Sequence, residues 1–599
     1  MRGRRGLVAR AVGAGLMAAV LAAGAASPAG AVVDNRCGNT DDMGATVQSC
    51  GTDFDAAAGT EFSGAVGTYQ FVGVFEEQTA TIDWGDGTSS PGTLQANTVL
   101  GTHTYAFSGV RTVSVTVGGI GIAQERTVFA TGHGVASVGP PGCNGKAATI
   151  YRGSGYAGTG GEPGTPMDVE GTAGDDVIVG DSGKDVLRGQ GGADTICAGD
   201  GNDTVSDGSG EDAVFGEAGK DVLYAGRGAD DLNGGGGTDV VSYRLRTEAV
   251  TAQLGGGGAL SGAAGEGDLI AADVENLTGG PKDDVLTGDD QPNVISGRSG
   301  TDEVTGGAGN DFLFDGPGEG DIVIGGADND TLVAGSGADA LFGGAGRDGV
   351  TYAGRTAGVF AGLNYAFSDG EDGIDGDVEI LSGGEGNDYL AGKGGDDTIY
   401  GLGGSDQISG ASGRDTLLDG PGDDLIYGGP DADRLYPGSG ADVLNGGDGV
   451  DIVSYVFRDQ PISALIGFDR LSGEEFENDT VRSDVENLAG GAGDDNLVGN
   501  EGANTLWGNA GNDSLIGSGG DDSLFGGTGM DRLRDGLGAD RLFGEEDNDR
   551  LFTGGDGSID RASCGAGSDT VVATDTVQVT PDGDTEAADC EQKLTEDDD

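Results

Sequence analysis

The chain is 599 residues long, with 127 glycines, 36% hydrophobic residues and 6% aromatic ones. Its 102 acidic residues against 31 basic ones leave a formal charge of −71. That composition argues against one large apolar enzyme core, and a pI near 4.1 argues against nucleic acid or anionic lipid as a partner.

Arg2, Arg4, Arg5 and Arg10 precede an Ala/Gly/Leu/Val-rich run from Ala11 to Ala26, and Ala29-Gly30-Ala31 supplies small residues for a peptidase. Residues 1–31 therefore read as a secretory signal cleaved after Ala31. General secretion is favoured over the twin-arginine route that Arg4-Arg5 also permits. No other run approaches the roughly 20 apolar residues of a membrane span. Six cysteines in an exported chain suggest disulfides. Sequence proximity favours Cys37–Cys50, Cys143–Cys197 and Cys564–Cys590, with the other connectivities left open.

Between about Gly51 and Thr131 glycine thins and alternation appears, as in Arg111-Thr112-Val113-Ser114-Val115-Thr116-Val117, which predicts half-buried strands. Ala80-Thr81-Ile82-Asp83 runs into Trp84-Gly85-Asp86-Gly87, a strand entering an Asp-Gly hairpin turn. With Thr102-His103-Thr104-Tyr105 downstream, this segment resembles the PKD domain. The resemblance implies an immunoglobulin-like β-sandwich over 32–132 that acts as a spacer or interaction module. It makes His103 structural, whereas His133 is expected in a Gly-His-Gly loop. Residues 133–170 read as a Gly/Pro-rich linker.

From Gly171 onward a nine-residue unit, G-x-x-G-x-D-x-U-x with U aliphatic, repeats in four tracts. The first carries Asp176, Asp185, Asp194, Asp203, Asp212, Asp221, Asp230 and Asp239. The second carries Asp284, Asn293, Asp302, Asp311, Asp321, Asp330, Asp339 and Asp348. Asp388, Asp397, Asp406, Asp415, Asp424, Asp433, Asp442 and Asp451 make the third. The fourth has Asp495, Asn504, Asp513, Asp522, Asp531, Asp540, Asp549 and, after an insertion, Asp560. Asp fills 30 of these 32 slots. Tyr243, Tyr352 and Tyr455 close the first three tracts, and each following insertion ends in Asp-Val-Glu, at Asp273, Asp377 and Asp484. Cys564 takes the tyrosine's place in the fourth. One module is thus copied four times, over 171–278, 279–382, 383–489 and 490–564, with a cap and acidic tail over 565–599. The insertions are expected to be short strands covering tract ends.

The unit resembles the RTX (hemolysin-type) calcium-binding nonapeptide. That resemblance implies a parallel β-roll in which six residues turn, three form a strand, two repeats complete a coil, and the turns hold Ca²⁺. Residue chemistry points the same way. A three-residue strand buries little alone, but stacking aligns the U residues into a thin core. Short carboxylates beside carbonyls offer hard oxygen ligands, which suit Ca²⁺. Aspartates 18 apart would stack about 4.8 Å apart and repel by about 3 kcal/mol per pair at an effective dielectric near 20. Summed over a tract, this exceeds the ~5–15 kcal/mol stability of an ordinary domain, so metal-free tracts should be unfolded. The 30 aspartates are the expected ligands of several Ca²⁺ ions, roughly 24 by the geometry of stacked repeats. Asn293 and Asn504 mark weaker sites. Position 1 or 2 often lacks Gly, as in Asp207-Gly208 and Pro437-Gly438, so affinity should vary between sites.

Catalytic signals are weak. Gly180-Asp181-Ser182-Gly183 resembles a trypsin-like nucleophile segment but falls in phase with the repeat, and no H-E-x-x-H occurs. The expectation is an all-β, non-enzymatic, secreted calcium-binding protein, extracellular or at the cell surface, with a matrix or adhesion role. Calcium ions are the expected partners, together with a cell-wall, polysaccharide or protein ligand for the first domain. Two alternatives stand beside it: a secreted hydrolase with its site in the N-terminal region or the insertions, and a passive calcium-loaded spacer.

Overall fold

The computed structural model describes residues 37–151 apart from the short segments 43–44, 52–53, 58–60, 73–74, 84–88, 96–97, 105–108, 122–125 and 140–141. It also describes 165–255, 261–363, 372–573 apart from 475–476, 577–579 and 591–594. The expected signal, the Trp84–Gly87 turn, Tyr105 and Cys590 lie outside these residues. The described residues are all β, with no helix among them. Residues 168–573 form parallel β-solenoid coils, about 22 turns in all. Two compact units are distinguished. One is drawn from residues up to Ser242 with 256–274, the other from Tyr243–Gly255 with 275 onward.

In the first unit, residues 37–139 form two five-stranded sheets. Phe75–Asp83 pairs antiparallel with Ser89–Pro91 across residues 84–88, and Gly109–Gly121 pairs with Arg126–Gly139. The alternating apolar residues of 111–117 fall in the first of these two long strands. His133 lies in the second, opposite Ser114, and not in a loop. The ladder runs unbroken from Arg126 to Val138, so the glycine on each side of His133 does not interrupt it. Cys37 stands opposite Cys50 in another ladder.

The same unit contains the first coils. Val177–Val179 pairs in parallel with Thr195–Gly201 in the register Ile178↔Ile196, and Val186–Arg188 with Thr204–Ser206 in the register Leu187↔Val205. Each coil is therefore two nonapeptides, with alternate repeats on opposite faces. Ile150–Tyr151 and Asp168–Glu170 add a strand ahead of each face. A Cys143–Cys197 disulfide fixes the preceding hairpin to the first sheet. Ile178, Leu187, Ile196 and Val205 are 0% exposed. The core is the row of U side chains, one from the strand of each repeat. Removing a CH₂ from water contributes about 0.8 kcal/mol, so each rung adds little and the stack must supply the rest.

In the second unit one face continues in parallel from Asn276–Thr278 through Thr398–Tyr400 and Thr505–Ala510 to Val577–Val579. The other face is interrupted at every insertion and begins again with a strand that the insertion supplies. Val250–Gln253 pairs ahead of Val285–Thr287, Phe360–Gly362 ahead of Tyr389–Ala391, and Ser463–Leu465 ahead of Asn496–Val498. Insertions also end the sheet before them, as Gly373–Ile374 does on Ala340–Ala345. Tyr352 and Tyr455 are buried, and Arg355 and Arg458 close a turn by donating N–H to their carbonyls at 3.0 and 2.9 Å. These arginines pair with insertion carboxylates, Arg355 with Asp372 and Arg458 with Glu474 and Glu477.

Candidate metal centre

Two glycines shape the typical turn. Gly189, at position 1, is so enclosed that an added Cβ would lie 2.1 Å from the Asp207 carbonyl oxygen and 2.4 Å from Asp194 Oδ2. Gly210, at position 4, has φ +151°, and its Cβ would meet the Gly192 carbonyl at 1.7 Å. The backbone there approaches its neighbouring coil more closely than any side chain allows. The missing side chain at position 1 leaves room for the position-6 carboxylate beneath its own turn.

Position 6 forms a ladder. The backbone N–H of Asp176 donates to Oδ1 of Asp194, that of Asp194 to Asp212, and that of Asp203 to Asp221, at 2.8, 2.7 and 2.7 Å. The same bond recurs in the other tracts, as from Asp284 to Asp302, Asp388 to Asp406 and Asp495 to Asp513. The geometry brings the regularly spaced aspartates together in rows, each capping the coil before it. All 30 are buried.

The second oxygen depends on place in the tract. In the opening repeats it accepts the position-2 N–H of its own turn: Thr172 to Asp176 Oδ2, Lys393 to Asp397 Oδ2 and Gly491 to Asp495 Oδ2, at 2.6, 2.7 and 2.6 Å. From the third repeat on, position 2 commonly takes a left-handed φ, at Gln190 (78°), Glu217 (73°), Leu402 (72°) and Ala411 (76°), among others. Oδ2 then has no protein donor in Asp194, Asp203, Asp212 and Asp221. The same holds in Asp302, Asp311, Asp321, Asp330, Asp339 and Asp348, in Asp406, Asp415, Asp424, Asp433, Asp442 and Asp451, and in Asp513, Asp522, Asp531, Asp540 and Asp549.

A buried carboxylate oxygen without a partner is costly, and rows of them are the donor set a hard cation requires. Electrostatics agree. Burial, the largest cause, pushes Asp203, Asp302, Asp406 and Asp513 up to about 7; a backbone N–H offsets part of this, and like-charged neighbours add to it. Ca²⁺ therefore fits on chemical grounds, and the ladder aspartates from the third repeat onward are the residues that could hold it.

Asn293 and Asn504 belong to the opening repeats. The side-chain oxygen of each accepts a position-2 N–H, and Nδ2 donates at 2.8 Å to the carbonyl of Glu275 or Glu486. Both ends of each amide are satisfied by protein. Asp181–Gly183 forms the turn of an ordinary second repeat, where the Asp181 N–H donates to Asp185 Oδ2.

Sequence periodicity does not reveal every carboxylate here. Asp268, Asp372 and Asp479 in the insertions extend the rows by accepting the N–H of Asp230, Asp339 and Asp442 at 3.1, 3.0 and 3.1 Å. The Asp-Val-Glu signature explains itself: Glu379 and Glu486 cap Asp348 and Asp451, while Asp377 caps Gly343 and Gly344. Asp207, Asp315, Asp419 and Asp535, at position 1 where Gly is the rule, are also buried.

The RTX calcium-binding nonapeptide repeat model matches residues 170–205, 206–241, 278–313, 318–350, 382–417, 409–444, 418–453, 489–524 and 525–560. These matches fall on the four tracts and leave out most of each insertion. No curated protein matches the chain.

Proposed function

Four tracts of this chain are RTX calcium-binding nonapeptide repeats, and from that premise we propose that it is a secreted calcium-binding protein that folds on meeting Ca²⁺ outside the cell. The observation that carries this reading is the row of buried Oδ2 atoms without protein donors. The ladder aspartates of the second and third tracts each contribute six such atoms, which supports about six ladder ions per tract. Each bound ion adds about 1.4 kcal/mol of folding free energy for every tenfold excess over Kd. Millimolar extracellular Ca²⁺ drives the fold, and a calcium-poor cytosol keeps the chain export-competent.

On this reading residues 1–31 direct export, the four modules are scaffold and not catalyst, and 32–132 is a PKD-like domain. That first domain presents the surface through which the protein engages cell wall, polysaccharide or another protein as a matrix or adhesion component. Its two sheets of long paired strands support the assignment. Among the described residues no helix is long and apolar enough to cross a membrane. Far-UV circular dichroism of the full chain tests the calcium reading. A strong β spectrum in millimolar Ca²⁺ should collapse in EGTA, and an unchanged spectrum overturns it.

A further inference from the structure

A pair of departures from Gly at position 1 recurs in every tract, with Ala198 a further exception in the first. Asp stands at position 1 in Asp207, Asp315, Asp419 and Asp535, and two repeats later position 1 is again not Gly but Ala225, Ala334, Pro437 or Thr553. The paired departure recurs in all four tracts. Its first member brings a third carboxylate to the ladder. Asp207 lies with Asp212 and Asp230, Asp315 with Asp321 and Asp339, Asp419 with Asp424 and Asp442, and Asp535 with Asp540 and Asp560. One oxygen from each of the three lies within 4.8 Å of the others.

The extra aspartate is anchored from one side. Oδ1 of Asp207 accepts the N–H of Gly208 and of Gly226, at 2.5 and 2.6 Å. Asp315 and Asp419 repeat this with Gly316 and Gly335, and with Gly420 and Gly438. Those second glycines directly follow Ala225, Ala334 and Pro437, which accounts for the paired departure: the coil two repeats on turns its amide toward the carboxylate. Oδ2 of Asp207, Asp315 and Asp419 has no partner, and each side chain is 0% exposed. Asp535 is held through both oxygens, by Gly536 and Gly554. Arg355, the cation that acts on Asp339, has its guanidinium on Asp372 at 3.6 Å.

We propose that every tract contains one cation site of a second kind, built from the position-1 aspartate and two ladder aspartates, which holds a divalent hard cation more tightly than the two-carboxylate ladder sites around it. Affinity in oxygen-ligand sites rises with the number of charged ligands and the rigidity of their support, and this site has the greater share of both. It fills first as Ca²⁺ rises, one ion per tract. The inference rests on the calcium reading above and goes beyond it by dividing the ions into two classes.

The test counts ions. Full-length protein loaded with Ca²⁺ is passed over a chelating resin, and the retained calcium is measured by mass spectrometry beside a calcium titration. Wild type should retain four ions per chain, one for each cluster. Replacing Asp207, Asp315, Asp419 and Asp535 together by Gly, the residue usual at that position, should abolish the retained class and leave the weaker ions in the titration. The single isosteric change Asp419→Asn should remove one retained ion. It decides the matter if the fourfold variant does not fold in Ca²⁺. Retention unchanged in both variants overturns the inference while the calcium reading stands. A wild-type chain that binds no Ca²⁺ in the titration overturns both.

Discussion

Ala411 has φ 76°, a conformation that costs an L-residue about 1–2 kcal/mol and glycine little. It adopts that conformation because position 2 must turn its amide away from Asp415, leaving Oδ2 of that aspartate open. Ala411→Gly should therefore stabilise the calcium-loaded protein by about 0.5–1 kcal/mol after the greater flexibility of glycine in the unfolded chain is subtracted. A higher urea midpoint is the readout, and a lower one counts against the strain argument. Gly189→Ala should act in the opposite direction. Its methyl group would press on the Asp207 carbonyl and the Asp194 carboxylate, costing about 1–3 kcal/mol as an overpacked site does, with a fall in both the unfolding midpoint and the apparent calcium affinity.

The insertions act as elements that finish a sheet. Asp479 accepts the Asp442 N–H through Oδ1 and the Tyr455 hydroxyl through Oδ2, each at 3.1 Å. Asp479→Ala leaves two buried donors unpaired and should cost about 1–3 kcal/mol. Hydrogen exchange in the third tract should speed up with the first tract unaffected; uniform protection across both would contradict a capping role. Much of this architecture is legible in the sequence, because a step of nine fixes which Asp faces which and which aliphatic is buried, as Ile178 and Leu187 are. The capping partners are not. Asp268 accepts from a residue 38 positions back and Asp372 from one 33 back, so no constant period marks them, although Asp-Val-Glu was visible as a word without a role. Asp207 was visible only as a departure from Gly; its side chain gains meaning once Asp212 and Asp230 are brought beside it. The turn geometry that separates opening from later repeats leaves only a partial sequence mark: Gly is common at the left-handed position, as at Gly199 and Gly420, but Leu402 and Glu217 occupy it too.

Across the whole molecule, on the proposed reading, charge decides when the coils form. In the coils without metal, burial raises many ladder aspartates, Asp203 and Asp302 to about 7, above the 3.8 of an unperturbed carboxyl. The folded state then binds more protons than the unfolded one between roughly pH 4 and 7. Metal-free stability is greatest below that window and falls as pH rises through it. In EGTA, lowering pH from 8 to 5 should recover part of the β signal in circular dichroism. In calcium the sign reverses, because protons compete for the same oxygens, so the Ca²⁺ midpoint should rise on acidification; a midpoint independent of pH would argue against carboxylate ligation. Sodium chloride should not substitute for calcium. Even at about 3 Å, the Debye length near 1 M, mobile ions screen buried pairs poorly, and an apo chain that folds in 1 M NaCl would show that bulk repulsion is the whole obstacle.

Strand Phe360–Gly362 lies upstream of Gly383 yet pairs ahead of Tyr389–Ala391, and Val250–Gln253 likewise belongs with the unit that follows it. The visible sequence repeat and the folded cassette are therefore out of step. A duplication or domain shuffle cut at a tract's first glycine would leave its opening rung on the donor side. Splices that work should fall earlier, near the closing tyrosines, which is where genetic exchange among such modules, or an engineer trimming their number, would have to cut.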